Sequence, residues 1–187
     1  MIEIEVATES SSGRAVFLDR DGTVAPDVTY CRRYGDFHLR PDTGPAVKAL
    51  KYNDFKVIVI TSHSGIARGH FTEETLCKIH NRLRNEIKKF GVELDAIYYC
   101  PHHPEHGCAC RKPGTGLFLR AREDHKLDFT QSYVIGEREH DIIAGKATGC
   151  KTILINHDEG NSINQAVKPD YMASDMLEAA RWILGNN

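Results

Sequence analysis

The segment AVFLDRDGTV, residues 15–24, decides how this chain is read. An apolar run ends in Asp19 and Asp21, one residue apart, with Gly22 and Thr23 behind them. A short, nearly continuous run of branched and aromatic side chains is the pattern of a strand covered on both faces. Gly22 predicts a turn at the strand's end, which lets both carboxylates face one cavity. Two carboxylates placed together repel unless a cation or a shared proton lies between them. A hard cation such as Mg²⁺ takes oxygen ligands and leaves room for a substrate phosphate. One carboxylate can then serve as nucleophile and the other as acid and base. By itself the pair also suits a surface turn with two solvated acids, so the rest of the chain has to decide.

Four more runs resemble the first: KVIVIT (56–61), DAIYYC (95–100), SYVIG (132–136) and KTILIN (151–156). Helical periodicity fills the intervals. The clearest case is 72–90, where Leu76, Ile79, Leu83, Ile87 and Phe90 form one stripe. Thr72 is placed to cap it, Glu73 and Glu74 suit its positive end, Lys88 and Lys89 its negative end, and Gly91 stops it. Weaker helices are expected near 43–53, 114–126, 139–148 and 174–185. Strand and helix in alternation predict an α/β fold of three layers, a parallel sheet with helices on both faces. No repeat or linker divides the chain, so 1–187 is read as one domain with 1–13 as a ragged lead-in. Ligands of such sheets bind beyond the carboxyl ends of the strands. Asp19, Thr61, Cys100 and Glu137 all stand at such ends.

The bulk numbers exclude several classes of partner. The 187 residues hold 24 Lys and Arg against 26 Asp and Glu, so neither nucleic acid nor an anionic membrane is the expected partner. No apolar stretch is long enough to span a bilayer, and the start lacks the basic and apolar regions of a signal peptide. A cytoplasmic, monomeric protein is expected. Its six cysteines are then reduced or metal-bound. Cys31, Cys77 and Cys150 are scattered and read as small packing side chains.

Three further motifs follow in order. TSHSGIARG (61–69) offers hydroxyls, Gly65 and Arg68 for a loop that wraps a phosphate. RKP (111–113) adds Arg111 and Lys112, and GEREHD (136–141) adds Glu137 and Asp141. Each alone suits an ordinary loop, a solvated basic pair or an acidic helix start. Together, in this order, DRDGT, the threonine after the second run, the lysine and the late acidic motif resemble the haloacid-dehalogenase-like (HAD) phosphohydrolases. The resemblance spans about residues 15–151 and implies a Rossmann-like HAD fold. It implies that Asp19 is the nucleophile, forming an aspartyl phosphate, and that Asp21 protonates the leaving oxygen and then activates water. Thr61 and Lys112 would hold phosphoryl oxygens, and Ser62 and Arg111 would contact substrate. Mg²⁺ would sit on Asp19, the main-chain carbonyl of Asp21 and Glu137, with Asp141 orienting the metal's surroundings and Lys112.

CPHHPEHGCACRKP (100–113) contains C-x-H, five residues, then C-x-C. Cys100, His102, Cys108 and Cys110 make a Cys₃His set, the closed choice of structural zinc, with His103 and His106 as alternative ligands. A zinc-pinned loop would place Lys112 at little cost in entropy. With DRDGT, this cluster resembles the HAD branch that includes heptose bisphosphate and histidinol phosphate phosphatases. That branch has no cap domain, and the spacing here leaves no room for one, so the 24–41 and zinc loops would frame the substrate. A small phosphorylated sugar, heptose 1,7-bisphosphate above all, is the expected substrate. The alternatives are histidinol phosphate, or a zinc-stapled module that binds a phosphorylated ligand without turnover. Removal of DNA end phosphates fits the charge balance poorly.

The chain departs from the branch in three places. Ser62 and His63 replace the usual Asn and Gln, Ala25 stands where Asn is frequent, and Glu137 replaces Asp. Glutamate is longer by one C–C bond, about 1.5 Å. A misplacement near 1 Å can cost ~100-fold in rate.

Overall fold

The computed structural model describes residues 13–27, 34–156 and 167–186. Residues 1–12 of the expected lead-in, Cys31, His157 and positions 28–33 of the 24–41 loop lie outside the described residues.

Among those residues are six strands: β1 (Ala15–Leu18), β2 (Lys56–Ser62), β3 (Ala96–Cys100), β4 (Tyr133–Gly136), β5 (Lys151–Ile155) and β6 (Tyr171–Ala173). They form one sheet in the order β3-β2-β1-β4-β5-β6, and every pairing is parallel. The chain builds from β1 to one side through β2 and β3, then returns to β4 on the other side. The strand order therefore reverses between β1 and β4, the place where open α/β sheets form their binding crevice.

Period-two alternation sends neighbouring side chains to opposite cores. Val16, Leu18, Val57, Val59 and Ile135 meet α1 (Thr43–Tyr52), α3 (Glu73–Lys88) and α6 (Met176–Gly185) on one face. Phe17, Ile58, Ile60 and Val134 meet α4 (Gly116–His125) and α5 (Glu139–Thr148) on the other. Two cores around one sheet make the three expected layers. Phe17 anchors the second core, edge-on to Phe118 and Phe129 at centroid distances of 5.2 and 6.0 Å.

In α3 the expected stripe is buried at Leu76, Ile79, Leu83 and Ile87, while Phe90 is half-buried. Thr72 Oγ1 accepts from the Thr75 amide at 3.2 Å, the expected cap. Gly91 ends the helix at φ +79°, a conformation that disfavours any residue with a Cβ.

The structure differs from the sequence expectations in three places. β3 is an edge strand, so Ala96 to Tyr99 are half-exposed and only Cys100 is buried. The 61–69 segment is not all loop, since α2 (Ser64–Ala67) forms one turn there. β6 has no sequence signal, because three residues carry no measurable period. It is held by α6, where Tyr171 stacks on Trp182 with centroids 4.9 Å apart and its hydroxyl donates to Glu178 at 2.8 Å. Trp182 is thus a packing residue. Among the described residues no helix is long and apolar enough to cross a membrane.

Candidate active site

At the end of β1 the chain turns sharply. Gly22 adopts φ +83°, and the Val24 and Ala25 amides both donate to the Arg20 carbonyl at 2.9 Å. A Cβ at Gly22 would overlap the Glu137 carboxylate, so the glycine supplies both the turn and the space for that acid. Asp19 and Asp21 leave this turn into a cleft of about 360 Å³ over the crevice between β1 and β4. Thr61 and Ser62 enter it from the end of β2, Arg111 and Lys112 from the 100–113 loop, and Asp141 from the first turn of α5.

Lys112 is the hinge of the arrangement. Its Nζ lies 2.6 Å from Asp19 Oδ1, 2.6 Å from Asp141 Oδ1 and 2.9 Å from the Ile60 carbonyl. Burial opposes its charge, but the Asp141 and Asp19 carboxylates prevail and hold its pKa above the ordinary value. Asp141 in turn accepts from the Arg138 amide at 3.1 Å and so caps α5. Burial raises the Asp141 pKa against the pull of Lys112.

Asp21 is gripped by Arg20, whose Nε and Nη2 lie 2.9 and 2.8 Å from Oδ1, with Nη2 also 2.8 Å from Oδ2. Desolvation nevertheless raises the Asp21 pKa, and the neighbouring Asp19 charge adds to the rise. A raised carboxyl is what an acid needs if it is to hold a proton before reaction. Glu137 is buried beside Gly22 and bonded to Arg138 Nε at 3.1 Å. Arg138 also pairs with Asp27. Burial raises the Glu137 pKa, and repulsion from Asp27 and Asp19 raises it further.

The Cys₃His set converges. Cys100 Sγ lies 3.5 Å from Cys108 Sγ and 3.1 Å from Cys110 Sγ, and Cys108 and Cys110 are 3.4 Å apart. His102 Nδ1 lies 3.5 Å from Cys100 Sγ and 3.1 Å from Cys110 Sγ. These sulfurs are too far apart for disulfides. They approach the edge of a tetrahedron around zinc, roughly 3.7 Å for Zn–S bonds of about 2.3 Å. His103 and His106 fall outside the cluster. Among the described residues this is the only group of three or more His, Cys, Asp or Glu side chains tight enough to hold a metal by side chains alone. The register pairs Cys100 with Ser62, so the metal-binding loop begins beside the end of β2.

Most of the expected site residues therefore meet in one cleft. Glu137 lies beside it, against Gly22, and Arg68 is exposed and not among the lining residues. Three features were missed in the sequence. Arg20, 1% exposed, clamps Asp21, which nothing in the motif announces. Buried His80 lies behind the cleft, its ring centroid 5.8 Å from that of His63, which lines the cleft at the position already noted as a departure from the branch. His80 follows Ile79 on the apolar stripe of α3, a signal that helical spacing carried. Asp27, Phe71, Arg138 and His140 line the cleft through tertiary packing alone.

Comparison with known proteins agrees with this geometry. A HAD-hydrolase-like family model matches residues 109–179. A D-glycero-beta-D-manno-heptose-1,7-bisphosphate 7-phosphatase from Haemophilus ducreyi is 34% identical over 91% of this chain and 98% of its own length. A probable D-glycero-D-manno-heptose-1,7-bisphosphate 7-phosphatase from Thermoplasma volcanium is 41% identical over 67% of this chain and 86% of its own. Among solved structures, the D,D-heptose 1,7-bisphosphate phosphatase from B. bronchiseptica, complexed with magnesium and phosphate, superposes with a TM-score of 0.83. It is 27% identical, with 93% of this chain and 99% of that one covered. The chain belongs to the HAD-like family of phosphoric monoester hydrolases. Within that family, the relatives of nearly full coverage named above are heptose bisphosphate phosphatases.

Proposed function

We propose that this chain is a Mg²⁺-dependent phosphatase that removes one phosphate from a small phosphorylated sugar, heptose 1,7-bisphosphate at its 7-phosphate. The observation that carries the reading is Lys112, bridged between Asp19 and Asp141 at the switch point of the sheet. The names of relatives matched over nearly their whole length supply the substrate class.

Asp19 Oδ attacks phosphorus while the bond from phosphorus to the sugar oxygen breaks. Asp21 gives its proton to that oxygen and the dephosphorylated sugar leaves. Asp21 then takes a proton from water, the water oxygen attacks phosphorus, and inorganic phosphate leaves with Asp19 restored. Lys112 and the Thr61 hydroxyl hold phosphoryl oxygens, and Ser62 and Arg111 contact the substrate. Lys112 also holds Asp19 aimed through the 2.6 Å contact of Nζ with Oδ1.

The acidic site fits Mg²⁺. Its donors are all oxygen, from Asp19, the Asp21 carbonyl and Glu137, and burial, with repulsion from Asp19, raises the Asp21 and Glu137 pKa values. Bound there, Mg²⁺ would offset phosphoryl charge that otherwise repels the nucleophile. The Cys₃His cluster would hold structural zinc and so fix the loop that carries Arg111 and Lys112. We read the chain as one monomeric, cytoplasmic domain.

The test is phosphate release, with Mg²⁺ present, from both anomers of heptose 1,7-bisphosphate, histidinol phosphate and other sugar phosphates. Release from the heptose, abolished in Asp19→Asn, supports the proposal. Preference for histidinol phosphate would replace the substrate. Silence across the panel from folded, zinc-loaded protein would leave the non-catalytic binding module.

A further inference from the structure

Thr61 is 1% exposed, and its hydroxyl oxygen lies 3.2 Å from His63 Nε2. On the other side of the ring, Nδ1 faces Asp21 Oδ2 at 3.9 Å, too long for a hydrogen bond. The ring cannot drift far. Phe71 meets it edge-on at 6.2 Å, and His80 lies behind it, followed by Tyr99 at 5.7 Å from His80. Its main-chain amide donates to the Cys100 carbonyl at 2.8 Å, at the start of the metal-binding loop.

A hydroxyl has one proton to give. If His63 Nε2 accepted that proton, Thr61 would show only lone pairs to an anionic phosphoryl group. If Nε2 carries a hydrogen, it donates to Thr61 Oγ1 and the hydroxyl proton is free to point into the cleft. We infer that His63 is a positioning residue: its Nε2–H donates to Thr61 Oγ1 and turns the Thr61 hydroxyl proton toward the phosphoryl oxygen. A neutral ring serves this role. Of its two tautomers, the one with hydrogen on Nε2 leaves the Thr61 proton free for the cleft.

The inference rests on the phosphatase reading above, and a double-mutant cycle separates the two. His63→Phe keeps the ring against Phe71 and His80 and removes both nitrogens. It should lower the rate of phosphate release about tenfold, the worth of one hydrogen bond near reacting charge. In a Thr61→Val background the same change should cost less than about twofold, because the hydroxyl it serves is gone. His63→Gln restores a donor and should recover most of the loss, whereas His63→Leu should not. That contrast decides the matter even if His63→Phe fails to fold. Unchanged activity in His63→Phe, losses that multiply with Thr61→Val, or equal activity in Gln and Leu variants would overturn the inference alone. A wild-type protein that released no phosphate would overturn the phosphatase reading and this inference with it.

Discussion

Lys112 and Asp19 are 93 residues apart in the chain and 2.6 Å apart in the fold, Nζ to Oδ1. With buried Asp141 on its other side, Lys112 bridges that acid and half-buried Asp19. Lys112→Ala would leave both without it. Removing one partner of a buried ion pair costs roughly 3–5 kcal/mol. Urea unfolding of this variant should show a loss of that order, together with loss of phosphate release. A stability equal to wild type would show that the pair is not formed in solution.

Asp19→Asn tests the nucleophile separately from the fold. The amide keeps the shape of the side chain and can accept from Lys112 through its oxygen, but it cannot form the acyl phosphate. Turnover should fall by at least about 10³-fold, in keeping with loss of a nucleophile elsewhere. The circular dichroism spectrum should stay that of wild type. Substantial residual activity would move the nucleophile elsewhere.

The Cys₃His cluster and Lys112 lie on one loop, with only Arg111 between Cys110 and Lys112. Cys110→Ser should lower zinc content, measured by mass spectrometry of protein purified without chelator, and should lower activity through misplaced Lys112. Chelation of wild type should speed proteolysis within 100–113. A fully active protein that contains no zinc would show that the loop needs no metal.

Glu137 reaches the turn at Gly22 from the end of β4. Glu137→Ala should raise the Mg²⁺ concentration for half-maximal activity by more than about tenfold, the scale of lost metal-site contacts. Gly22→Ala should be worse, since its Cβ would displace Glu137 and its positive φ costs ~1–2 kcal/mol. A Mg²⁺ titration of both variants checks this, and unchanged curves would remove Glu137 from the metal.

His80 gives a pH dependence of stability. Burial, with the nearby charges of Arg20 and Arg84, lowers its pKa to about 3. In the unfolded chain an ordinary histidine titrates near ~6.5. Below that pH the unfolded chain binds a proton that the folded one refuses, so stability falls as pH drops from ~6.5 toward 3. The share due to His80 is about 2 kcal/mol between pH 7 and pH 5. His80→Leu should lose correspondingly less over this interval in urea unfolding at the two pH values. An identical loss in both proteins would assign the effect to other groups.

Much of this molecule was legible before any coordinates. Five of the strands announced themselves as apolar runs, and for all but β3 the reason is that a strand buried on both faces has no polar side to hide it. The helix over 72–90 was legible from its stripe and from Thr72. The cysteine cluster was legible because a chelating loop keeps its ligands close in sequence. β6 was not, since three residues carry no period, and the edge position of β3 was not, since strand order is not written in any one strand.

The sequence by itself determined the residue types: two acids at a strand end, a hydroxyl at the next, a lysine beside a Cys₃His loop and a late acidic motif. Each is a local pattern and survives being read along a line. Only the tertiary structure decided which of them meet. The parallel register carries Thr61 and Cys100 to the same end of the sheet as Asp19, and the return of the chain at β4 brings Asp141 within reach of Lys112. Arg20 on Asp21, Glu137 against Gly22 and His63 on Thr61 likewise exist only in the fold. Each depends on where a buried side chain is turned, and packing around it sets that direction.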